Sequence, residues 1–512
     1  MYLEKFSQDE EQILLSYFTN VDLPVFVLIN LPEVVKGALF ARYSRTGKSL
    51  RRLFLDEFAD DVDNSLELGT QFTNRSSKLY DKVFVEFGDD SVAQLGGAHL
   101  AIEGASNILT KIIERGRLAS YLEQSTRYIN YGDVLPNGEY RYRYDSDLLN
   151  SPVGAQYINN MNKIFEDYNI LVSKTEDWLI KNNAIDGTIE DQKRGARTLA
   201  LDLSRGVLPS GTLSNLGMFA TGQTYEYLIM RMRASNLPEA RQYAQLMLRE
   251  LNKVIPDFLK RIDKENRGIP WSKYFETNNI AMAKSLENFD QLVKQETESS
   301  YVRLLEYTPE DELEIIAYMC YEYSAKNLEE IKHSIHVLSD SQRLDIINSY
   351  IGDRQNRRWR PGRALEHAQY TFEILSDYGA FRDLQRHRML TIEWQPPTPL
   401  HGYVVPKIIT DAGLSDFYYQ VMERSKTLYN LLCNAGFPEQ ARYAVALGYN
   451  MRYLMTFNAR EAMHIIELRS QPQGHPVYRQ IVQEMHRQIS QKHPILAKTM
   501  KFVDYGNTGF HK

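Results

Sequence analysis

Three segments of the chain combine arginines with polar side chains in spacings that suit phosphate binding. The first, RGRLASYLEQSTRY at 115–128, holds three arginines, a carboxylate and two serines within fourteen residues. Guanidinium groups pair with phosphate oxygens through two parallel hydrogen bonds, and a serine hydroxyl adds a further donor. Because the polar residues do not share one helical face, we predict that a helix end passes here into a loop. An ion-paired surface segment without a ligand is the alternative interpretation.

The second and third segments add a histidine and further arginines. RHRM at 386–389 directly follows an amphipathic stretch and suits a diphosphate or a flavin carbonyl, although a solvated basic turn has the same composition. FNAREAMHIIELRS at 457–470 carries Asn458, Arg460 and Arg469 among apolar residues. A buried arginine requires a partner, because an unpaired charge in the interior is strongly destabilising. That partner is either a ligand anion or an internal carboxylate such as Glu461 or Glu467.

The elements that position these segments recur in the same order in both halves of the chain, which predicts a tandem repeat. VFVLINLPEVVKGALFARYS near residue 25 and VRLLEYTPEDELEIIAYMCYEYS near residue 302 both read as a strand followed by a capped helix. In the second of these, Thr308 is the predicted N-cap and Pro309 the first helical residue. Each half continues with an apolar stretch and a spaced arginine pair. Each then carries Arg205 or Arg442 in an apolar segment, and closes with LIMRMRAS or IIELRSQ.

These elements predict an α+β fold that is mostly helical, with a small sheet in each half. We place the first unit at 1–270 and the second at 271–512, because DKENRGIPWSKY near this boundary is polar and rich in turn signals. The region of about 135–195 reads as an insertion that only the first half carries. Within it, YRYRY at 140–144 alternates as a strand would but lies between turn-rich segments.

The composition is that of a folded chain, and it excludes several functional classes. The 512 residues are 43% hydrophobic with a net charge of −6, which argues against a general nucleic-acid binder. Cys320 and Cys433 form no CxxC pair, so we expect no metal site, and the scarcity of cysteine fits a reducing cytoplasm. The apolar run Val25–Ile29 reads as a buried strand and is too short to span a membrane. RTGKS at 45–49 lacks the first glycine of a phosphate-binding loop, which would fall at Arg42.

Together the three segments resemble the signature of flavin-dependent thymidylate synthases. That family carries RHR, a serine and an ExSxRY run, then an arginine in an ARxVLP-like segment, and later NAR and LR. The first half is similar in RGRLASYLEQSTRY and SRGVLP. The second half is similar in RHR, in EHAQYTF just upstream, in AR at 441–442, in NAR at 458–460 and in LR at 468–469. The shared order of these motifs, found twice, makes the resemblance specific.

The two halves depart from the family pattern in complementary ways. In the first half, Gly116 replaces the histidine of RHR, Leu122 replaces the usual asparagine before the glutamate, and TGQ at 221–223 replaces NAR. In the second half the chain reads MLTIEWQPPTP after Arg388, without the ExSxRY run. Either the copies have specialised, the first for the nucleotide and the second for the flavin, or both have decayed into a pseudoenzyme.

The resemblance implies reductive methylation of dUMP to dTMP, with FAD as cofactor and with NADPH and methylenetetrahydrofolate as co-substrates. By the same resemblance, Arg469 favours the ionised form of the uracil ring at N3 and so activates the ring carbon. The residues implied to bind the nucleotide are Glu123, Ser125, Arg127, Arg205 and Arg442. The residues implied to bind FAD are Arg386, His387, Arg388, Asn458 and Arg460, with Arg115 and Arg117 of the first motif.

Family members are homotetramers whose active sites are assembled across subunit boundaries. The resemblance therefore implies a cytoplasmic homodimer of this chain that mimics the tetramer, with no nucleic-acid or membrane partner. Two alternatives remain open. One is a nucleotide- or flavin-binding homologue without turnover, and the other is a structural assembly protein that keeps only the fold.

Overall fold

In the computed structural model, the described residues are 3–31, 46–57, 97–127, 129–289 and 301–506, together with the single positions 39, 43 and 59. The helix predicted after the first strand falls largely outside the described residues, as do Arg42, Tyr128 and the stretch 290–300 near the proposed boundary. None of the described helices is both long enough and apolar enough to cross a membrane.

The described residues include eight strands, which form two four-stranded sheets of the same topology. The strands are β1 (Val25–Val27), β2 (Gly97–Ser106), β3 (Ala119–Glu123), β4 (Leu213–Thr221), β5 (Tyr301–Thr308), β6 (Gln369–Asp377), β7 (Leu390–Trp394) and β8 (Asn450–Asn458). The first sheet has the order β1-β2-β4-β3 and the second β5-β6-β8-β7, with every neighbouring pair antiparallel. This repeated topology confirms the prediction of two tandem α+β copies.

Helices precede, connect or follow the strands of each copy. Those of the first copy are α1 (Gln8–Tyr17), α2 (Leu50–Glu57), α3 (Asn107–Ile113), α4 (Ser146–Leu149), α5 (Gly154–Lys181), α6 (Ile189–Ser204), α7 (Gly222–Arg233), α8 (Pro238–Leu251), α9 (Pro256–Leu259) and α10 (Gly268–Phe289). Those of the second are α11 (Leu313–Tyr321), α12 (Leu328–Val337), α13 (Asp340–Ile351), α14 (Tyr378–Leu384), α15 (Lys407–Asp411), α16 (Ser415–Asn434), α17 (Pro438–Ala441), α18 (Ala459–Arg469), α19 (Pro476–Lys492) and α20 (Pro494–Lys498).

In each copy two strands run directly into helices, and a polar side chain caps the helix at the junction. Each capping side chain accepts a hydrogen bond from the backbone N–H three residues further on, which satisfies a donor that the first helical turn leaves open. The capping residues are Ser106 and Thr221 in the first copy and Asp377 and Asn458 in the second. The spaced arginine pairs therefore follow the ends of α3 and α14, and the NAR motif opens α18.

A long helix lies between the third and fourth strands of both copies, α5 in the first and α16 in the second. Each is followed by a further helix and then by a short 3₁₀ turn, Arg205–Val207 or Arg442–Ala444, that begins with an arginine. The region 135–195 thus contains a helix with a counterpart in the second copy. The two arginines in apolar segments occupy equivalent places in the repeat.

The chain divides into two compact units. The first comprises Met1–Asn183, Gly187–Glu296 and Ala412–Ala446, and the second comprises Ala184–Asp186, Thr297–Asp411 and Leu447–Lys512. Within the first unit, the backbone N–H of Gly211 donates to the carbonyl of Tyr443 at 2.8 Å, and that of Ser210 donates to the carbonyl of Val445 at 2.7 Å. These bonds place Arg442 in the same unit as Arg205, although it belongs to the second copy in sequence.

Two local predictions are wrong, and the structure decides one interpretation that the sequence left open. Thr308 is the last residue of β5 and does not cap a helix, because the strand pairing continues to it and α11 begins only at Leu313. The first arginine-rich segment is not simply a helix end followed by a loop, because its residues Ala119–Glu123 form a strand that pairs with β4. YRYRY forms no strand, and its only ladder contact among the described residues is an isolated bridge between Tyr142 and Thr212.

Candidate functional site

Three side chains of the second unit form a hydrogen-bonded triad in which a histidine joins a carboxylate to an arginine. Nδ1 of His387 lies 3.2 Å from Oε1 of Glu461, and Nε of Arg469 lies 3.0 Å from Nε2 of His387. His387 follows the end of α14, while Glu461 and Arg469 are the third and last residues of α18. Residues eight apart in a helix lie close to the same face, so α18 presents both side chains to His387.

The hydrogen bonds of the triad determine where the proton of His387 lies. A guanidinium N–H can only donate, so Nε2 of His387 presents its lone pair to Arg469. A neutral imidazole then carries its proton on Nδ1, and that N–H donates to the carboxylate of Glu461. The triad therefore has one direction, with Arg469 donating to His387 and His387 donating to Glu461.

Burial and neighbouring charges set the protonation of the triad. Burial, followed by the charge of Arg469, lowers the pKa of His387 well below its usual range, which favours the neutral ring. Burial raises the pKa of Glu461 to about 7, although the charges of Arg360 and Arg460 oppose the rise. Burial also lowers the pKa of Arg469, yet a guanidinium stays protonated at neutral pH. Near neutral pH, a neutral histidine thus lies beside a permanent cation.

His464 extends the triad into a group with metal-ligand chemistry. Among the described residues, His387, Glu461 and His464 bring one potential ligand atom each within 4.8 Å of one another. The arrangement does not suit a cation, because Nε2 of His387 accepts from Arg469 and Nδ1 carries the proton, so this ring offers no lone pair. The guanidinium of Arg360, 3.7 Å from Glu461, adds a further positive charge.

The other residues implied to bind the cofactor differ in how they are engaged. Arg386 is exposed and Arg388 is partly buried. Asn458 uses its side-chain oxygen to cap α18. Arg460 donates from Nε to the carbonyl of Pro361 at 2.8 Å and pairs with Glu366 at 3.4 Å. The structure therefore brings Asn458, Arg460 and the RHR motif together in one unit, but Asn458, Arg460 and His387 already have partners within the protein.

Two predicted nucleotide residues of the first unit share one buried carboxylate. Oδ1 of Asp202 lies 3.2 Å from Nε of Arg127 and 3.4 Å from a terminal nitrogen of Arg205. The Asp202 side chain is 2% exposed, whereas that of Arg127 is 24% exposed and so still reaches solvent. Ser125 belongs to the same corner, since its hydroxyl accepts from the backbone N–H of Arg127 at 3.2 Å. Asp202 thus holds two guanidinium groups close together.

Arg442 has an equivalent but separate carboxylate partner. Its guanidinium pairs with Glu439 at 2.7 Å. Glu439 precedes Arg442 by three residues, just as Asp202 precedes Arg205. A carboxylate in that position restricts the arginine side chain before any ligand arrives.

Glu123 lies in a buried network of the first unit. One carboxylate oxygen accepts from the hydroxyl of Thr110 at 2.9 Å and the other from Lys111 at 2.9 Å. Lys111 also pairs with Glu114, and all of these side chains are buried. Glu123 therefore holds the end of β3 to α3, a position from which it stabilises the strand that leads to Ser125.

The first copy has a spaced arginine pair but none of the three side chains that form the triad in the second copy. Arg115 and Arg117 are both exposed. Between them, a side chain at Gly116 would meet the hydroxyl of Tyr121, which lies 2.7 Å from an ideal Cβ. The residues equivalent to Glu461 and Arg469, the third and eleventh of α7, are Thr224 and Met232. The triad is accordingly a property of the second copy alone.

Several residues of these sites were not selected from the sequence. Arg360 carries no local signal, because its partner Glu461 lies about a hundred residues further along the chain, and His464 is a lone histidine on an apolar helix. Asp202 does stand one helical turn before Arg205, and that spacing is a weak signal for an ion pair. Glu461, expected as a possible partner for a buried arginine, lies beside both Arg360 and His387.

The chain belongs to the family described as thymidylate synthase complementing protein, whose model matches residues 40–257 and again 303–495. Two successive matches confirm the resemblance to two tandem copies of a flavin-dependent thymidylate synthase. A curated relative named UPF0159 protein, from Chlamydia muridarum, is 37% identical over 98% of this chain and 96% of its own length. The similarity to that relative therefore extends over both copies.

Two more distant proteins are similar to parts of the chain. A protein named flavin-dependent thymidylate synthase, from Geobacter sulfurreducens, is 25% identical over 37% of this chain and 81% of its own length. A solved structure of a UMP/dUMP methylase from Streptomyces cacaoi, bound with 5-Br dUMP, is 14% identical. It covers 40% of this chain and 96% of its own, with a TM-score of 0.33.

Proposed function

We propose that the chain is a flavin-dependent thymidylate synthase that converts dUMP to dTMP, with methylenetetrahydrofolate as carbon donor and NADPH as reductant. Membership of the family supports the reaction class, and the relative from Geobacter sulfurreducens supports the use of a flavin. The observation that carries the proposal is the fixed guanidinium of Arg469. His387 holds its Nε, and its terminal carbon lies 5.5 Å from the ring centre of Tyr478.

A fixed cation of this kind suits the chemistry of a uracil ring. Loss of the N3 proton leaves negative charge on the ring, and a guanidinium that is already oriented stabilises that charge without having to reorganise. The interaction is stronger than it would be in bulk water, because Arg469 is only partly exposed and its neighbours His387 and Glu461 are buried. In this proposal Arg469 is the catalytic residue, and no cysteine nucleophile is required.

The arginines of the second unit fit FAD, whereas His387 and Asn458 do not offer it direct contacts in the observed arrangement. Arg386, Arg388 and Arg460 carry guanidinium groups at the surface or close to it, and such groups pair well with a diphosphate. His387 and Asn458 are engaged by Arg469, Glu461 and the cap of α18. When bound, FAD supplies the hydride chemistry, and the protein supplies its binding and orientation.

The nucleotide phosphate is assigned to the first unit in this proposal. Ser125, Arg127 and Arg205 contribute a hydroxyl and two guanidinium groups from one corner, and Arg442 contributes another guanidinium from the same unit. Asp202 and Glu439 keep these arginines oriented, so that less side-chain entropy is lost when a phosphate binds. This division of labour corresponds to specialisation of the two copies.

Two measurements test the proposed function. The purified chain should be yellow with a flavin absorbance band, and its expression should allow a thymidine auxotroph to grow without thymidine. A flavin-loaded protein that fails to support growth or to form dTMP would instead indicate a binding homologue without turnover. A colourless protein that binds neither FAD nor dUMP would indicate a structural assembly protein that keeps only the fold of the family. The proposal also includes a homodimer, and a monomer in sedimentation that retains activity would contradict that part.

A further inference from the structure

We propose that Glu461 and His387 are positioning residues for Arg469, so that the histidine of the RHR motif acts on an arginine and not on the flavin. This inference rests on the proposed function for its consequence in catalysis. Its structural content, the direction of the hydrogen bonds, stands independently of any reaction. The starting observation is that both ring nitrogens of His387 have partners within 3.2 Å inside the same unit.

Only one arrangement of protons is consistent with the hydrogen bonds of His387. Because Arg469 donates to Nε2, a proton on Nε2 would place two donors against each other. A protonated Glu461 that donated to Nδ1 would leave the ring with no proton at all, which a neutral imidazole does not permit. Nδ1 must therefore donate to Glu461, and the carboxylate both selects the tautomer and fixes the plane of the ring.

The packing around the triad explains why the ring stays neutral. The side chain of His387 is 4% exposed and that of Glu461 is 5% exposed. The charged and titratable groups that face His387 are Arg469, His464, Arg360 and Asp383, besides Glu461 itself. Those that act on Glu461 are Arg360 and Arg460, besides the ring of His387. A positive charge on His387 would therefore be repelled by several neighbouring cations. Because the ring stays neutral, its Nε2 remains the hydrogen-bond acceptor that orients Arg469.

The first copy supports this reading by its substitutions. It has lost all three members of the triad together, with Gly116, Thr224 and Met232 in their places. It has nevertheless kept the two flanking arginines, Arg115 and Arg117. The histidine, glutamate and arginine thus behave as one unit that is separable from the flanking arginines.

The test reads the tautomer of His387 directly by ¹⁵N NMR of the full chain labelled in its histidine rings. We expect the His387 signal to show a protonated Nδ1 and an unprotonated Nε2 at neutral pH. His493 is an internal reference of the opposite kind, because its Nε2 lies 2.8 Å from the carbonyl of Pro309 and its Nδ1 faces the hydroxyl of Tyr370. Signals are assigned by their absence in His387→Gln and His493→Gln. A protonated Nε2 on His387 would overturn the proposal without requiring any activity.

The consequence for catalysis is tested with Glu461→Gln and Glu461→Ala, matched by Glu484→Gln at a partly exposed carboxylate on α19. We expect kcat for dTMP formation to fall about ten- to a hundredfold in Glu461→Ala, with KM for dUMP changed little, because Arg469 loses its orientation and not its charge. Glu461→Gln should lose a smaller part of kcat. Its kcat should also lack any pH dependence near neutrality that comes from ionisation of Glu461. Unchanged kcat in Glu461→Ala overturns the positioning role. A wild-type chain that forms no dTMP contradicts the proposed function instead, while the tautomer measurement keeps its meaning.

Discussion

Nε of Arg469 lies 3.0 Å from Nε2 of His387, and this contact determines how a buried histidine in an arginine-rich motif can be used. Since the arginine can only donate, the histidine is an acceptor on that side and a donor to Glu461 on the other. The contact also connects two motifs that lie far apart in the sequence, the RHR at the end of α14 and the LR at the end of α18.

Replacement of Arg469 should abolish most turnover without removing the flavin. Arg469→Ala deletes the cation proposed to stabilise the ionised uracil, and loss of one such preorganised group lowers kcat by about 10²–10³-fold. FAD content should remain that of the wild type, because Arg469 is not among the arginines assigned to the cofactor. The check is kcat together with flavin absorbance, with Arg487→Ala on the exposed side of α19 as control. Full activity in Arg469→Ala would remove this residue from the chemistry.

The fold and the site were predictable from the sequence to different degrees. The tandem α+β architecture follows from motifs whose order repeats, and the arginine pairs do follow apolar helices in both copies. Strand β3 was not anticipated, because its polar residues obscure the alternation and its stability comes from pairing with β4. The partner of Arg469 was also not predictable, because 82 residues separate it from His387 and no local pattern couples them. The same holds for residues 412–446, whose placement in the first unit depends on contacts distant in sequence.

Glu461 should make the stability of the protein depend on pH in an unusual direction. Its pKa is raised to about 7 in the folded state, above its value in an unfolded chain, so its contribution to stability is present at low pH and is lost as pH rises through about 7. Glu461→Gln removes this dependence, so the variant should gain stability relative to the wild type between pH 5 and 8. Urea unfolding at the two pH values measures the difference. An identical difference between the two proteins at both pH values would contradict the raised pKa.

His464 should act in the opposite direction. Its pKa is lowered to about 4 by burial and by the charges of Arg360 and Arg469, so the unfolded chain binds a proton at a higher pH than the folded one. Its contribution to stability is therefore present above about pH 6.5 and is lost as pH falls toward 4. As pH falls from about 6.5 toward 4, the free energy of unfolding of His464→Asn, measured by urea unfolding, should decrease less than that of the wild type. The exposed His333, replaced in the same way, is the control and should follow the wild type.

Asp202 should be essential for the arrangement of the two arginines in the first unit. Asp202→Asn removes a buried carboxylate from Arg127 and Arg205, and loss of one partner from a buried ion pair costs about 3 kcal/mol or more. We expect a corresponding fall in the free energy of unfolding and weaker binding of dUMP. Asp191→Asn, at an exposed ion pair with Arg194, should lower the free energy of unfolding far less and leave dUMP binding unchanged. Wild-type stability in Asp202→Asn would show that the shared carboxylate is dispensable.

The cost of a side chain at position 116 should depend on the Tyr121 hydroxyl. Gly116→Ala places a Cβ 2.7 Å from the Tyr121 hydroxyl, so we expect a loss of about 1 kcal/mol from overpacking. Tyr121→Phe removes the nearest atom, and the double variant should recover part of that loss in a thermodynamic cycle. Additive effects of the two substitutions would argue against the contact.

In the proposed function, this chain forms dTMP with Arg469 as the catalytic cation. The most direct measurement incubates the purified, FAD-loaded chain and its Arg469→Ala variant with dUMP, methylenetetrahydrofolate and NADPH, and quantifies dTMP by chromatography. We expect dTMP from the wild type and at least about a hundredfold less from the variant, at equal FAD content. The absence of dTMP from a flavin-loaded wild-type chain, or equal yields from the two proteins, would contradict it.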